Sequence, residues 1–173
     1  MPIASNPFST RNVKPGMIPF LGLDTSSIRE MATKLIESRA MVQIVGPHGA
    51  GKTTFINSIA GTYQPSGGRV TFLDKDTTGL SSDVMCRKGM ARTFQISQPF
   101  PKMTALENVL VAATFGAKAG VIKKPRIHAE AMLDYVEFPM PKSTPAQSLN
   151  TVQLKRLDLA RALASKPKLL LLD

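Results

Sequence analysis

The glycine-rich segment at residues 46–53, which reads GPHGAGKT, limits the possible folds more than any other part of the chain. It fits the pattern G-x-x-x-x-G-K-[ST], whose glycines let the backbone turn so that its amide hydrogens surround an anion. An apolar run at residues 41–45 predicts a buried strand before it, and apolar residues at helical spacing over 54–60 predict a helix after it. Strand, loop and helix in this order place a helix N-terminus against a phosphate. The sequence therefore predicts a site for a nucleoside triphosphate, most simply MgATP.

Each residue type in this loop has a physical reason. Glycines permit backbone angles that other residues avoid, and the ammonium group of Lys52 reaches the β- and γ-phosphates. The hydroxyl of Thr53 is a ligand for Mg²⁺, and Thr54 adds a contact to the α-phosphate. The predicted nucleotide-binding residues are Gly46, Pro47, His48, Gly49, Ala50, Gly51, Lys52, Thr53 and Thr54.

Asp173 follows four apolar residues that predict a fully buried strand over 169–172. A carboxylate at the end of a buried strand is the second part of many phosphate-loop sites, where it holds Mg²⁺, usually through water. The alternative is an ordinary polar residue at the end of a strand. Because the glycine-rich loop is present in the same chain, we favour the metal role for Asp173.

The composition limits the compartment, the membrane topology and the kind of ligand that we expect for this chain. The chain has 173 residues, of which 43% are apolar, and a single cysteine, so we expect one packed core, no internal disulfide and a reducing compartment. We find neither a signal peptide nor an apolar run long enough to span a bilayer. The net charge of +10 favours phosphate-bearing ligands or anionic surfaces. With two tyrosines and no tryptophan as stacking platforms, the composition argues against nucleic acid.

Periodicity predicts the other elements. Residues 1–20 are predicted to be a loose leader, and a short amphipathic helix is predicted over 28–36. Thr104 and Glu107 form a capping-box pattern at the start of a helix over 104–115. The remaining predictions are a strand over 69–73, a helix over 127–138 with Ala131, Met132, Tyr135 and Val136 inward, and a helix over 153–164.

Three segments together resemble the ATP-binding subunits of ABC transporters, most closely those of branched-chain amino acid importers. They are GPHGAGKTTFINSIAGTYQPSGGRVTF, GMARTFQISQPFPKMTALENVLVA and SLNTVQLKRLDLARALASKPKLLLLD. The resemblance implies an α/β P-loop NTPase core with a helical subdomain and a sheet that is incomplete at the C-terminus. The implied parts are a leader and helix at 1–40, an ATP-binding core at 41–95, a helical subdomain at 96–150, and a signature helix with the Walker B strand at 151–173.

The resemblance also implies roles for individual residues. Gln95 corresponds to the glutamine that contacts Mg²⁺ or the attacking water and senses the membrane partner; the alternative is a surface glutamine. Phe20 is a candidate for stacking on adenine, and the alternative is an ordinary leader residue. The catalytic residues are then Lys52 and Gln95, and the metal ligands are Thr53, Gln95 and Asp173.

The family's signature loop, LSGGQ, reads differently in this chain. It corresponds to Leu149, Asn150, Thr151, Val152 and Gln153. In the family this loop contacts the ATP of the other subunit in a head-to-tail dimer, and glycine there allows close backbone approach. Thr151 and Val152 hinder that approach, whereas Asn150 keeps a hydrogen-bond donor in place of serine.

Taken together, the resemblance implies an ATPase subunit that drives membrane transport of a small solute, namely branched-chain amino acids. Its partners would be transmembrane permease subunits and a second ATP-binding subunit, and its location the cytoplasmic, inner face of the cell membrane. The sequence ends at Asp173, where the family has its catalytic glutamate next, so we expect a truncated chain whose full-length parent is the enzyme. One alternative is a non-catalytic nucleotide-binding fragment or pseudo-ATPase. The other, suggested by the +10 charge, is a soluble ABC ATPase that acts on nucleic acid.

Overall fold

The computed structural model describes residues 17–20, 41–116 and 121–173. The chain divides into two compact units, Met1–Lys52 and Thr53–Asp173. In the first unit, strands β1 (Met17–Phe20) and β2 (Met41–Ile44) pair in parallel, with Met17 opposite Met41 and Phe20 opposite Ile44.

The strand β1 corrects the prediction of a loose leader up to residue 20. Its four residues pair with the backbone of β2. Local composition cannot indicate this pairing, because the two strands are distant in the sequence. The strand β2 itself lies where the sequence predicted one. The predicted helix over 28–36 lies outside the described residues.

Helix α1 (Lys52–Ile59) begins at the last residue of the first unit and continues into the second. After it, strands β3 (Thr71–Phe72) and β4 (Lys75–Asp76) form an antiparallel hairpin. The predicted strand over 69–73 is shorter than expected, because Leu73 and Asp74 have φ of 52° and 58° and form the turn. Paired positive φ angles match the right-handed twist of a two-residue hairpin.

Helix α2 (Ser82–Arg87) leads into strand β5 (Met90–Arg92), which pairs in parallel with strand β6 (Leu169–Leu171) near the end of the chain. The prediction that residues 169–172 are fully buried is wrong. The three residues of β6 are half-buried and Leu172 is 61% exposed. Within the described residues β6 has a strand neighbour only on the β5 side, which leaves part of its surface open.

The main core of the second unit lies among helices α3 (Ala105–Phe115), α4 (Pro125–Tyr135) and α5 (Thr151–Ala164), with a short 3₁₀ helix (Ala146–Ser148) before α5. Its fully buried members include Val109, Leu133 and Leu157, one from each long helix. None of the helices in the described ranges combines the length and the apolar character needed to cross a membrane.

The predicted inward face of α4 is half right: Val136 is buried in the core and Met132 packs partly buried against it, whereas the other two predicted residues face outward. Ala131 is exposed and Tyr135 is 74% exposed, whereas Ala129 and Leu133 are completely buried. Both sets have helical spacing, so periodicity alone could not choose between them. The structure selects the face that packs against α3 and α5.

The predicted capping box at the start of α3 is confirmed. The Thr104 hydroxyl accepts a hydrogen bond from the Glu107 amide at 3.2 Å, and the Glu107 carboxylate accepts one from the Thr104 amide at 2.8 Å. Two otherwise unpaired amides at the helix N-terminus are thereby satisfied.

We expect Thr104→Ala to lower the free energy of unfolding by about 1 kcal/mol, because it removes the hydroxyl that caps α3. Urea unfolding followed by circular dichroism measures this loss. Ser81→Ala is the matched control, since Ser81 occupies the N-cap of α2, where its hydroxyl donates to the exposed Asp83 carboxylate and makes no capping bond to a helix amide. Equal losses in the two variants would contradict the capping role.

The same box makes a prediction about pH. Hydrogen bonds from the Thr104 amide and hydroxyl lower the pKa of Glu107. The stabilisation that the charged Glu107 carboxylate gives the folded state is therefore present above its unfolded-state pKa of about 4.3. It is lost as the pH falls through the lower folded-state pKa. We expect the stability difference between the wild type and Thr104→Ala to shrink between about pH 6 and about pH 3, and a constant difference would show that the Glu107 charge does not strengthen the box.

Candidate functional site

The glycine-rich loop connects β2 to α1 and belongs to the first unit. Gly49 and Gly51 have φ of 80° and 84°, a region that side chains with a Cβ rarely adopt. The Ala50 amide donates to the Pro47 carbonyl at 3.2 Å and closes the turn. Residues 47–51 are exposed, so the loop is open to a ligand from solvent.

Lys52 folds back over this loop. Its ammonium group donates to the carbonyl oxygens of Gly46 and Pro47, each at 2.8 Å. These contacts hold the charge above the backbone that precedes α1. The ammonium group and the N-terminus of the helix thus lie on the same short segment, and both favour anions.

Thr53 opens the second unit and contacts a residue far away in sequence. Its hydroxyl donates to one carboxylate oxygen of Asp173, Oδ1, at 3.0 Å. Because the hydroxyl donates its hydrogen to Asp173, the lone pairs on its oxygen stay available, and this oxygen can also ligate a cation. The structure therefore brings together two of the predicted metal ligands.

A hydroxyl beside a carboxylate is a donor set that suits Mg²⁺. Magnesium is a hard cation that prefers oxygen ligands, and it usually takes one or two protein groups with substrate phosphates and water. Thr53 and Asp173 offer such oxygens 3.0 Å apart. The residues present therefore fit the cation that the sequence predicted.

Arg92 completes this arrangement, although the sequence analysis assigned it no role. Its guanidinium donates to the second carboxylate oxygen of Asp173, Oδ2, at 2.8 Å. The two side chains are only 10% and 11% exposed, so this ion pair is largely shielded from water. Arg92 lies within the ARTFQ segment, but nothing in the sequence indicates that β5 pairs with β6, and this pairing brings the two residues together.

Gln95 follows β5 in an exposed loop. The backbone carbonyls of Phe94 and Gln95 both accept hydrogen bonds from the ammonium group of Lys155, the former at 3.0 Å. Lys155 lies on α5, so the loop that carries Gln95 is attached to the helix that follows the signature loop. Its predicted contact with Mg²⁺ or water stays a prediction.

The signature residues lie at the start of α5. Asn150 is the N-cap: its side-chain oxygen accepts from the Gln153 amide at 3.0 Å, and the Gln153 side chain accepts from the Asn150 amide at 2.9 Å. Leu149 is buried in the core, whereas Val152 is 67% exposed. The side-chain nitrogen of Asn150 takes no part in this box, so it keeps its capacity to donate to a ligand.

Phe20, the candidate for adenine stacking, is the last residue of β1. The backbone places it opposite Ile44 at the end of β2. Its role stays a prediction. Thr54, the last predicted phosphate contact, is exposed on the first turn of α1, where its carbonyl accepts from Ser58.

The chain is similar in sequence to ATP-binding proteins of transporters. A model of the family described as ABC transporter matches residues 32–173. A probable branched-chain amino acid transport ATP-binding protein LivG from Archaeoglobus fulgidus is 37% identical over 148 residues, which is 80% of this chain and 58% of the relative. The high-affinity branched-chain amino acid transport ATP-binding protein BraF from Pseudomonas aeruginosa is 37% identical over 151 residues, 80% of this chain and 59% of the relative. The chain thus spans less than two thirds of these relatives.

Solved structures show the same likeness. A nucleotide-free ATP-binding cassette from an ABC transporter is 32% identical with a TM-score of 0.62, covering 74% of this chain and 55% of that one. A dimeric cassette in a post-hydrolysis state, bound to ADP and Pi, is 30% identical with a TM-score of 0.66, covering 74% and 57%. These likenesses confirm the predicted α/β P-loop class.

The shielded ion pair predicts a stability effect without any nucleotide. We expect Asp173→Asn to lower the free energy of unfolding by about 1–3 kcal/mol, because the Arg92 guanidinium loses its charged partner in a shielded position. Chemical unfolding measures it. Asp76→Asn is the control: its pair with Arg69 is 54% and 63% exposed, so we expect little loss. An Asp173 variant as stable as this control would show that the ion pair contributes nothing.

Proposed function

The chain belongs to the ABC transporter family, and on that premise we propose that it is the ATP-binding part of a subunit that couples ATP hydrolysis to transport of a small solute. The observation that carries the proposal is the contact of Thr53 with Asp173, where Thr53 is the last residue of a sequence segment with the full phosphate-binding pattern. Relatives named as branched-chain amino acid transport ATP-binding proteins support branched-chain amino acids as this solute.

Nucleotide binding begins at the glycine-rich loop. The positive φ angles of Gly49 and Gly51 support a backbone that turns its amides toward phosphate oxygens. Lys52 exchanges its carbonyl partners for the β- and γ-phosphates, which are stronger partners because they are charged. The N-terminus of α1 adds its partial positive charge.

Thr53 and Asp173 hold Mg²⁺ in this proposal. Thr53 would ligate the cation through its hydroxyl oxygen, and Asp173 would hold it through Oδ1, directly or through water. The chemistry that Mg²⁺ would supply here is neutralisation of the charge on the phosphates during phosphoryl transfer to water. Gln95, on its loop next to β5, positions the attacking water.

The proposed partners are transmembrane permease subunits and a second ATP-binding subunit. A neighbouring structure that is a dimer bound to ADP and Pi supports the second of these. The signature residues at the start of α5 then face the partner subunit's nucleotide, with Asn150 as the donor. Because the subunit acts together with a permease in this proposal, it lies at the inner face of the cell membrane.

We expect Lys52→Ala to reduce the affinity for ATP by at least about tenfold, since it removes a charge-assisted bond of more than about 1.4 kcal/mol. Calorimetric titration of the folded 173-residue chain with ATP and Mg²⁺ measures the affinity. Lys75→Ala, on the exposed strand β4, is the charge-matched control. Unchanged affinity in the Lys52 variant would contradict the site assignment.

The coupling to transport is tested on the whole subunit with its permease in vesicles. Hydrolysis that rises with a branched-chain amino acid on the outside, and is lost in the Lys52→Ala subunit, is the expected result. Binding without phosphate release in that complex would instead support a non-catalytic nucleotide-binding protein.

A further inference from the structure

The Arg92 guanidinium lies at a junction of three segments of the second unit. It comes from the last residue of β5, pairs with Asp173 just after β6, and contacts Asn57 on α1. Asn57 is only 7% exposed, and the Arg92 side chain is 10% exposed. A charged group in this position needs its hydrogen bonds, because water cannot easily replace them.

Each nitrogen of the guanidinium has its own partner. Nη2 donates to Asp173 Oδ2 at 2.8 Å, Nη1 donates to the Asn57 side chain and to Thr62 Oγ1 at 3.4 Å, and Nε donates to the Thr93 carbonyl at 3.2 Å. The group also lies over the Phe94 ring, 4.9 Å from its centre. Only a planar fork can meet partners in these several directions at once, and an ammonium group cannot.

The two oxygens of Asp173 are consequently held from two sides. Oδ1 accepts from Thr53 at 3.0 Å and Oδ2 accepts from Arg92 at 2.8 Å. A carboxylate held at both oxygens cannot rotate about its last bond without breaking one of these contacts. Arg92 thus fixes which oxygen Asp173 presents beside the Thr53 hydroxyl.

We propose that Arg92 is a positioning residue for magnesium: it orients Asp173 so that Oδ1 and the Thr53 hydroxyl form a ready cation site. The inference rests on the proposed function and deepens it, because it identifies the group that sets the geometry of the metal ligands. In this role Arg92 acts through Asp173, to which its guanidinium donates. Groups that orient metal ligands typically contribute 10–100-fold to metal affinity.

Charge and orientation make opposite predictions for this arginine. As a positive charge near the site, Arg92 repels Mg²⁺, so its removal would tighten metal binding. As an orienting group, it keeps the carboxylate in place, so its removal weakens metal binding. The sign of the effect therefore separates the two roles.

The test measures ATP affinity of the 173-residue chain by calorimetry, in EDTA and at increasing Mg²⁺. For Arg92→Gln we expect the Mg²⁺ concentration that gives half of the metal-dependent gain in affinity to rise about tenfold or more. The affinity in EDTA should change less than about twofold, because loop and Lys52 contacts do not involve Arg92. Arg87→Gln is the control, since Arg87 pairs with Asp83 on the surface, with side chains 57% and 61% exposed.

Two further variants complete the design. Arg92→Lys keeps the charge without the fork, and we expect it to resemble Arg92→Gln. Asn57→Ala removes a neutral partner of the guanidinium and leaves the ion pair, so it gives a smaller shift in the same direction and carries the test if Arg92→Gln does not fold.

Unchanged or tighter Mg²⁺ binding in Arg92→Gln, or full recovery in Arg92→Lys, would overturn the positioning role while leaving the proposed function intact. A wild-type chain whose ATP affinity does not respond to Mg²⁺ would overturn both. A loss of ATP affinity in EDTA equal to the loss in Mg²⁺ would show that Arg92 supports the fold alone and would also overturn the proposal.

Discussion

The hydrogen bond from Thr53 to Asp173 is the contact on which the rest of the site depends. It joins residues 120 positions apart, at the first turn of α1 and just after β6. Local sequence propensity cannot produce this contact, because the fold must bring α1 and the end of β6 together from distant parts of the chain. The parallel pairing of β5 with β6 supplies part of that placement, with Arg92 opposite Leu171 in the register. The Thr93 amide continues the ladder by donating to the Leu171 carbonyl at 2.9 Å.

The helical part of the second unit supports this placement through its core. Helix α5 ends five residues before β6 begins, so its packing against α3 and α4 sets where β6 can start. Both α3 and α5 begin with complete capping boxes, at Thr104 and at Asn150. In α5 the cap also explains how the signature segment keeps a well-defined helix start without glycine, because asparagine is among the best N-cap residues.

Features that depend on neighbouring residues could be predicted from the sequence, whereas pairings between distant segments could not. The glycine-rich loop, its flanking strand and helix, and the Thr104 box depend on residues close together in the chain, and the structure has them where the sequence placed them. Half of the predicted inward face of α4 was wrong, because apolar residues lie around more than one face of that helix and the packing of its neighbours decides which of them are buried. Arg92 was missed because its partners Asp173 and Asn57 are 81 and 35 positions away.

The basic composition also has a structural use that the sequence did not reveal. Several long cationic side chains donate to backbone carbonyls in loops and at helix ends, where no helix or strand ladder supplies a donor. The pairs are Lys52 with Gly46 and Pro47, Lys155 with Phe94, Arg156 with Val136, and Arg161 with Gln98. Arg161 also lies over the Phe100 ring at 5.5 Å, as Arg92 does over Phe94. Part of the +10 charge therefore holds the Gln95 loop and the helix ends in place, which weakens the net charge as an argument for nucleic-acid binding.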